Sequence, residues 1–414
     1  MSDQADGGPC RFCGTPLTTT FVDLGMSPLC ETFLLPEELN AMEPFYPLHT
    51  YACGECFLVQ LQEYVDVEEI FREYAYFSSY SDAWLDHARD YCESMIARLG
   101  LGTDSLAVEL ASNDGYLLQW FHEKGIGVLG IEPAVNVAQV AIDKGIDTRT
   151  EFFGADYAAS LAAEGVQADL VLGNNVLAQV PDLNDFVAGI PEILKPTGTV
   201  TIEFPHLQRL VEGNQFDTIY HEHFSYFSLV TAEKIFAAHG MTIFDVEELW
   251  THGGSIRIIA RPTADESRPP TERLLALRQR EIDLGYDRIE TYTDFTRQVE
   301  RTKRRVLEFL IGAADEGKRV VGYGAPGKGN TLLNYCGIRT DLIEFTVDRN
   351  PYKHGRFLPG THIPVHPPEA LDEARPDYIF ILPWNLRDEI STQLEYAREW
   401  GAKFVVPIPE LEVF

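Results

Sequence analysis

The sequence is short of positive charge and of long apolar runs, and each shortage excludes a class of function. Lys and Arg together number 33 against 64 Asp and Glu, so the formal net charge is −31 at pH 7. A field of this sign repels nucleic acid and anionic membranes, so neither is an expected partner, although a small anionic ligand needs only a few local donors. No run of about 18 apolar residues occurs, so no membrane span is expected.

The N-terminal residues also lack the basic and apolar segments of a secretory signal peptide, and we therefore expect a cytoplasmic protein. The cysteine count is seven, an odd number, which favours reduced thiols and metal over a disulfide framework. A length of 414 residues allows two or three domains. No heptad seam argues for association, so a monomer is expected.

Four of the cysteines form two Cys-x-x-Cys pairs near the N-terminus: Cys10 with Cys13, and Cys53 with Cys56. In such a pair one tight turn directs two sulfur atoms at a single metal, and two pairs make a tetrahedral zinc site. A redox pair or chance spacing is the less favoured alternative. Because four protein ligands close the coordination sphere, the predicted zinc is structural. The other cysteines are expected to be small buried side chains: Cys30, Cys92 and Cys336.

Strands and helices are predicted to alternate in the middle of the chain, which indicates an α/β fold with a parallel sheet covered on both faces. Predicted strands span 105–110, 127–132, 168–173 and 198–203. A charged helical segment over 262–310 is interpreted as a connection. A second, smaller α/β unit follows, with strands predicted over 319–323, 342–347 and 378–382.

The first strand-to-helix turn has features of an adenosyl site. Its strand carries Glu109, and Glu132 closes the next strand, about 20 residues on, where a carboxylate can accept hydrogen bonds from both hydroxyls of a ribose. The turn has one glycine rather than GxGxxG, which favours S-adenosylmethionine over a dinucleotide. A turn without any ligand is the open alternative. The other residues predicted to bind the cofactor are Ser112, Asn113, Gly115, Pro133, Asn174 and Asn175.

The second such turn, GYGAPGKGN, is richer in glycine. It is not a Walker A loop, because Lys328 is followed by glycine, so no Mg²⁺-dependent phosphoryl chemistry is implied. Its backbone amides and Lys328 can bind the phosphates of a nucleotide sugar. Surface charge without function is the alternative. Further candidates for substrate binding are Asn330, Asp348, Asn350 and Lys353.

The densest group of proton-transfer side chains is the segment 220–228, YHEHFSYFS. A histidine with a pKa near neutral can take a proton, a glutamate can orient it, and a tyrosine hydroxyl can hold a substrate oxygen. Taken alone, a buried and hydrogen-bonded structural loop is the competing interpretation.

Taken in order, these motifs resemble one known family. The paired CxxC units, ELASNDG, NNVLA, YHEHFSYFS, THGGSIR and GYGAPGKGN are similar to those of S-adenosylmethionine-dependent sugar C-methyltransferases, which build branched deoxysugars of actinomycete antibiotics. The resemblance runs from Cys10 to about Pro409. It implies a zinc-binding lobe over 1–72, a Rossmann-like class I methyltransferase domain over 73–262, a helical connection over 263–310 and a Rossmann-like, nucleotide-sugar-binding domain over 311–414.

The resemblance also implies a reaction and its residues. The implied substrate is a dTDP-linked 4-keto sugar, and the implied position of methylation is usually C-3′. His223 is implied as the base, with Glu222, Tyr220 and Tyr76 beside it. The family commonly has histidine where this chain has Gln179, a candidate substrate-binding residue, so the sugar substituent and the methylated carbon stay open. Methylation at C-5 or at a sugar oxygen or nitrogen, and a non-enzymatic nucleotide-binding zinc scaffold, are the alternatives.

Overall fold

The chain divides between two units, each assembled from separate stretches of sequence. The structure, a computed structural model, describes residues 7–66, 78–80 and 82–414. Unit 1 comprises Met1–Leu17, Cys53–His206 and Phe224–Arg288. Unit 2 comprises Thr18–Ala52, Leu207–His223 and Ile289–Phe414. The four-part domain division drawn from the sequence stays a prediction.

The strands in chain order are β1 (Thr19–Ser27), β2 (Tyr46–Ala52), β3 (Val59–Leu61), β4 (Leu106–Leu110), β5 (Gly127–Ile131), β6 (Thr148–Arg149), β7 (Ala168–Asn174), β8 (Leu194–Pro205), β9 (Ser225–Tyr226), β10 (Met241–Leu249), β11 (Ser255–Pro262), β12 (Val320–Tyr323), β13 (Thr346–Val347), β14 (Val365–His366), β15 (Tyr378–Ile381), β16 (Lys403–Val406) and β17 (Glu412–Val413).

The α-helices described are α1 (Asp82–Leu99), α2 (Leu118–Glu123), α3 (Val135–Asp143), α4 (Ala155–Ala163), α5 (Leu183–Ile193), α6 (Leu207–Glu212), α7 (Leu229–Ala238), α8 (Glu272–Leu284), α9 (Phe295–Asp315), α10 (Gly327–Cys336), α11 (Ala370–Ala374) and α12 (Arg387–Gln393). Within the described ranges, none of the helices is both long and apolar enough to cross a membrane.

Unit 1 is built on a seven-stranded sheet in the order β10-β11-β8-β7-β4-β5-β6. The strands β8, β7, β4, β5 and β6 run parallel, which confirms the predicted α/β fold. An antiparallel hairpin, β10–β11, extends the sheet beyond β8 and was not predicted. The apolar runs of β4 and β7 are buried, as expected for strands covered on both faces.

Helices α1 and α2 cover one face of this sheet. Tyr91 and Met95 of α1 and Phe121 of α2 share a buried cluster with Ala107 of β4 and Leu172 of β7. Since the parallel strands are packed side by side, their carboxyl ends meet at one edge of the sheet. Ligands of open α/β sheets bind at that edge.

Unit 2 contains a six-stranded sheet in the order β14-β13-β12-β15-β16-β17, parallel except for the edge strand β17. The predicted strand over 342–347 is shorter in the structure. The amides of Leu342 and Ile343 both donate to the carbonyl of Arg339 in a turn, so only Thr346–Val347 pair as β13. The antiparallel pair β1–β2 also belongs to this unit.

Candidate active site and zinc site

The four paired cysteines converge on one point of unit 1. The Sγ atoms of Cys10, Cys13, Cys53 and Cys56 all lie within 4.8 Å of one another. The Cys10–Cys56 and Cys13–Cys53 sulfur distances are 3.6 Å and 3.5 Å, far longer than a disulfide bond. A tetrahedral thiolate site with Zn–S bonds of about 2.3 Å separates its sulfur atoms by about 3.8 Å. The sulfur positions are therefore close to those of a tetrahedral zinc site.

The two turns that carry these cysteines have the same hydrogen-bond pattern. The amide of Gly14 donates to the carbonyl of Cys10 at 2.9 Å, and the amide of Phe57 donates to that of Cys53 at 3.1 Å. Both donors have left-handed backbones, with φ of 74° and 67°. The side-chain amide of Gln60 lies 3.1 Å from Cys10 Sγ, where it stabilises a thiolate ligand.

The turn after β4 is strained where a cofactor is predicted. Ala111, Asn113 and Gly115 have positive φ angles of 56°, 49° and 74°. For alanine this conformation costs about 1–2 kcal/mol. Asn113 Oδ1 accepts a hydrogen bond of 2.9 Å from the amide of Ser78, which helps to hold the turn. Such strain persists only where the surroundings fix it, and it concentrates at functional sites.

Glu132 is positioned by the same turn. Its carboxylate accepts hydrogen bonds of 2.9 Å from the amides of Asn113 and Ala134, while burial raises its pKa. Gly115 packs against the chain itself, since a Cβ added there would lie 2.5 Å from Ile146 Cδ1. The close approach that this glycine permits is therefore to its own protein, not only to a ligand.

Glu109 is the most unusual side chain of this edge. It is fully buried, and neither carboxylate oxygen has a hydrogen-bond partner among the residues that the structure describes. Burial, followed by the charges of Glu132 and Asp114, raises its pKa well above the ordinary value. Ser112 is also buried, and its hydroxyl has no partner within the same ranges. Since buried polar groups are normally paired, these atoms fit a ligand that carries hydroxyl and ammonium donors, as S-adenosylmethionine does.

The remaining cofactor candidates, Asn174, Asn175 and Pro133, lie at or after strand ends, and the substrate candidate Gln179 lies on a short helix nearby in the chain. Asn174 ends β7, and Asn175 follows it with a φ of 58°. Pro133 directly follows Glu132, and Gln179 ends the short 3-10 helix Leu177–Gln179. All four of these residues are half-buried and belong to unit 1.

A buried ion cluster in unit 1 was missed by the sequence reasoning. The Glu203 carboxylate lies within 2.6 Å of Arg257 Nη2, 2.8 Å of Thr251 Oγ1 and 3.0 Å of His87 Nε2. Burial alone would raise the pKa of Glu203, but the bonds from His87 and the charge of Arg257 hold it at about 2. A signal was present, since Glu203 closes a predicted strand and Thr251 and Arg257 belong to the THGGSIR motif.

The YHEH segment lies in unit 2, and its members face different surroundings. The rings of Tyr220 and His223 are 4.2 Å apart between centroids, and the His223 amide donates to the Tyr220 carbonyl. His221 Nε2 lies 3.2 Å from the carbonyl of Pro47. Glu222 Oε1 lies 3.6 Å from the thiol of Cys30, and burial raises the pKa of Glu222 to about 8. That Glu222 orients His223 stays a prediction.

Tyr76, the fourth catalytic candidate, lies outside the described residues.

The glycine-rich turn of unit 2 brings several substrate candidates together. Asp348 accepts hydrogen bonds from the amides of Ala325 and Asn350, at 2.7 Å and 2.8 Å. Lys353 Nζ donates to the carbonyl of Ala325 at 2.8 Å. The side-chain amide of Asn330 donates to the carbonyl of Cys30. Asp348 and Lys353 thus contact Ala325, just before α10, and Asn330 lies on α10 itself.

Lys328 points elsewhere in the same unit. Its Nζ donates to Asn385 Oδ1 at 2.8 Å and lies 4.8 Å from the centre of the Trp384 ring, while burial lowers its pKa. Trp384 Nε1 in turn donates to Asp217 Oδ2 at 2.7 Å. Burial raises the pKa of Asp217 to about 7. Asp217 and Trp384 were not singled out from sequence, and the phosphate-binding role of Lys328 stays a prediction.

Comparison with protein-family models assigns most of the chain. Residues 84–246 match a model described as "Methyltransferase domain", and residues 250–409 match "C-methyltransferase C-terminal domain". Residues 10–71, which include the four cysteines, match "Putative zinc binding domain".

A relative matches nearly the full length of the chain. C-methyltransferase NovU from Streptomyces niveus is 37% identical over 406 residues, which are 98% of this chain and 96% of that protein. The chain therefore belongs to the family of S-adenosylmethionine-dependent C-methyltransferases. It is an enzyme that uses S-adenosylmethionine, and its N-terminal cysteines form a zinc site.

Two solved structures of methyltransferases each align with about half of the chain. Magnesium protoporphyrin IX methyltransferase (ChlM) from Synechocystis PCC 6803 with bound SAM is 16% identical, covering 48% of this chain and 99% of that chain, with a TM-score of 0.35. The 1,6-didemethyltoxoflavin-N1-methyltransferase of Burkholderia thailandensis is 17% identical, covering 50% and 95%, with a TM-score of 0.36. The family assignment rests on the full-length relative and the family models.

Proposed function

We propose that this enzyme methylates C-3′ of a dTDP-linked 4-keto-deoxysugar, with His223 as the base, to make a branched sugar of an antibiotic. Membership of the C-methyltransferases supports carbon as the acceptor. The order of the sequence motifs supports a nucleotide-linked sugar as the substrate. The same proposal makes the enzyme a cytoplasmic monomer whose C-terminal residues, 311–414, bind the nucleotide.

The chemistry explains why a base is needed. A C–H bond beside a ketone is acidic, because loss of its proton gives an enolate. The base must reach that proton and have a pKa near the working pH, and histidine meets the second condition without a large shift. S-adenosylmethionine supplies the methyl group from its sulfonium, and the enolate carbon takes it.

The observation that carries the proposal is the contact between Tyr220 and His223. A buried imidazole held against a half-buried phenol forms a pair in which the ring nitrogen takes the C-3′ proton and the hydroxyl donates to the enolate oxygen. The proton on His223 then passes to solvent. Tyr76 is the second candidate for the hydroxyl donor.

The test separates proton removal from methyl transfer. For His223→Asn we expect the methylation rate to fall roughly 10²–10⁴-fold, the range for loss of a general base. In D₂O without S-adenosylmethionine, the wild type should exchange the C-3′ hydrogen of the keto sugar for deuterium, and the variant should not. Mass spectrometry of the recovered sugar reads out the exchange.

His221→Asn is the matched control, because His221 is buried in the same segment and lies against the Pro47 carbonyl. Its methylation rate should stay within a few-fold of wild type. Equal exchange in the His223 variant and the wild type would remove His223 from the role of base.

A further inference from the structure

The anion-binding end of α10 is occupied by a side chain of the protein itself. A strand, a glycine-rich turn and a helix N-terminus together favour an anion, because unpaired amides and the helix dipole point at it. The carboxylate of Glu31 lies against Gly327, the first residue of α10. A Cβ added to Gly327 would lie 3.1 Å from Glu31 Oε1, so the carboxylate lies directly against the turn.

Lys353 completes this arrangement. Its Nζ lies 3.7 Å from Glu31 Oε2 and donates to the carbonyl of Ala325, within the turn. One carboxylate thus lies against the first residue of a helix and beside an ammonium group, where a bound phosphate would find its partners. The side chain of Glu31 is 40% exposed, so it can leave this position without disturbing a packed core.

A second observation points to a ligand at this position. Asn330, in the first turns of α10, is 2% exposed, and its Nδ2 donates to the carbonyl of Cys30, the residue before Glu31. Its Oδ1 is buried and has no partner within the described residues. A hydroxyl of a ligand held beside Glu31 would satisfy this acceptor.

We propose that Glu31 is a built-in competitor for the phosphate of the substrate, and that it sets the affinity of the glycine-rich turn for phosphate-bearing ligands. When a diphosphate binds at the N-terminus of α10, the carboxylate of Glu31 leaves this position. The ammonium group of Lys353 then pairs with a phosphate oxygen instead of Glu31. This rests on the proposed function only in taking the diphosphate to be that of a nucleotide sugar.

Removing the charge of Glu31 and removing the charge of Lys353 should change the affinity for phosphate in opposite directions. Removing the charge of Glu31 removes the competitor, so phosphate binding should tighten. Removing the charge of Lys353 removes a partner of the phosphate, so binding should weaken. A charge-assisted hydrogen bond contributes about 1.5–3 kcal/mol, so each change should be about tenfold or more in Kd.

Isothermal titration of the full chain tests both signs, with dTDP, inorganic pyrophosphate and thymidine as probes. For Glu31→Gln we expect the Kd of dTDP and of pyrophosphate to fall about tenfold or more, with thymidine unchanged. For Lys353→Gln we expect both phosphate probes to bind about tenfold more weakly. Glu37→Gln, which removes an equal charge from an exposed position six residues on, should change none of them.

Three outcomes would overturn the proposal. The first is that Glu31→Gln binds dTDP and pyrophosphate no more tightly than the wild type does. If the melting temperature of this variant also falls, Glu31 is a helix cap only. The second is that Glu37→Gln tightens binding equally, which would make the effect one of net charge. The third is that neither the wild type nor Glu31→Gln binds pyrophosphate, which would mean that the turn is not an anion site. The methylation and deuterium-exchange assays report on the proposed function independently of all three.

Discussion

Two strand-to-helix turns, one in each unit, share one hydrogen-bond arrangement and differ in what surrounds it. In each, an acidic residue after the next strand accepts a hydrogen bond from an amide of the turn: Glu132 from Asn113, and Asp348 from Ala325. The turn of unit 1 then leaves the buried carboxylate of Glu109 without a partner within the described residues. In the turn of unit 2, the carboxylate of Glu31 lies against Gly327.

On the proposed function, this difference would suit the two turns to ligands of opposite character. A buried acid without a partner suits a ligand rich in donors and carrying positive charge. A helix N-terminus with a lysine and a displaceable carboxylate suits a ligand rich in negative oxygen atoms. Glycine content, which separates the turns in the sequence, reflects packing in both cases and is the weaker guide to the ligand.

The largest expected effect tests that last point. Gly115→Ala and Gly324→Ala each combine a positive φ with a Cβ 2.5 Å from a neighbour, Ile146 Cδ1 and Pro383 Cδ respectively. We expect each to lower the free energy of unfolding by about 2–4 kcal/mol, the sum of left-handed strain and overpacking. Urea denaturation followed by tryptophan fluorescence measures it.

Gly337→Ala is the control for those two variants, because Gly337 has a φ of 72° and nothing within 4 Å of an added Cβ. It should cost only the strain, about 1 kcal/mol. If all three variants lost the same free energy, packing would not be what requires glycine in the turns.

An intermediate effect should separate the two acidic residues. For Glu132→Gln we expect S-adenosylhomocysteine to bind about 10–100-fold more weakly in a calorimetric titration, because charge-assisted bonds to the ribose hydroxyls are lost. Asp348→Asn, the equivalent change in unit 2, should leave that affinity unchanged. Equal losses in both variants would break the distinction drawn between the turns.

The smallest effect concerns the pH dependence of stability. Because the pKa of Glu109 is raised above its ordinary value of 4.5, the folded state binds that proton more tightly than the unfolded state does. Its contribution to stability is therefore full below about pH 4.5 and falls as pH rises towards the raised pKa. In Glu109→Gln the decline of melting temperature between about pH 5 and pH 8 should be shallower.

Glu93→Gln, at an exposed position of α1, serves as the comparison and should keep the wild-type slope. An unchanged slope in Glu109→Gln would show that Glu109 is not held as a buried neutral acid.

Local patterns in the sequence were enough for the features whose partners lie close along the chain. The strands β4 and β7 follow from their apolar runs, and the zinc site follows from two spacings within single turns. The shortened strand β13 escaped prediction because a turn at Arg339 competes for the amides of an apolar segment.

The site's electrostatics escaped prediction for a different reason. Glu203 takes its partners from His87 and Arg257, which are 116 and 54 residues away in the chain. Glu31 lies in a segment that has no motif of its own, and its side chain contacts a turn about 300 residues away in the chain, near Gly327. No local pattern in the sequence specifies such pairs. The ionised state of Glu203 and the position of Glu31 at the glycine-rich turn therefore became visible only in the folded structure.

The zinc site has a consequence for how the chain is threaded. Its two cysteine pairs are 40 residues apart, and the chain between them, residues 18–52, departs into unit 2 before it returns. The metal thus joins the two ends of this segment into a closed loop. Loop closure reduces the conformational entropy of the residues of β1 and β2 in the unfolded chain. Removal of the zinc by a chelator should therefore lower the stability of strands that carry no metal ligand.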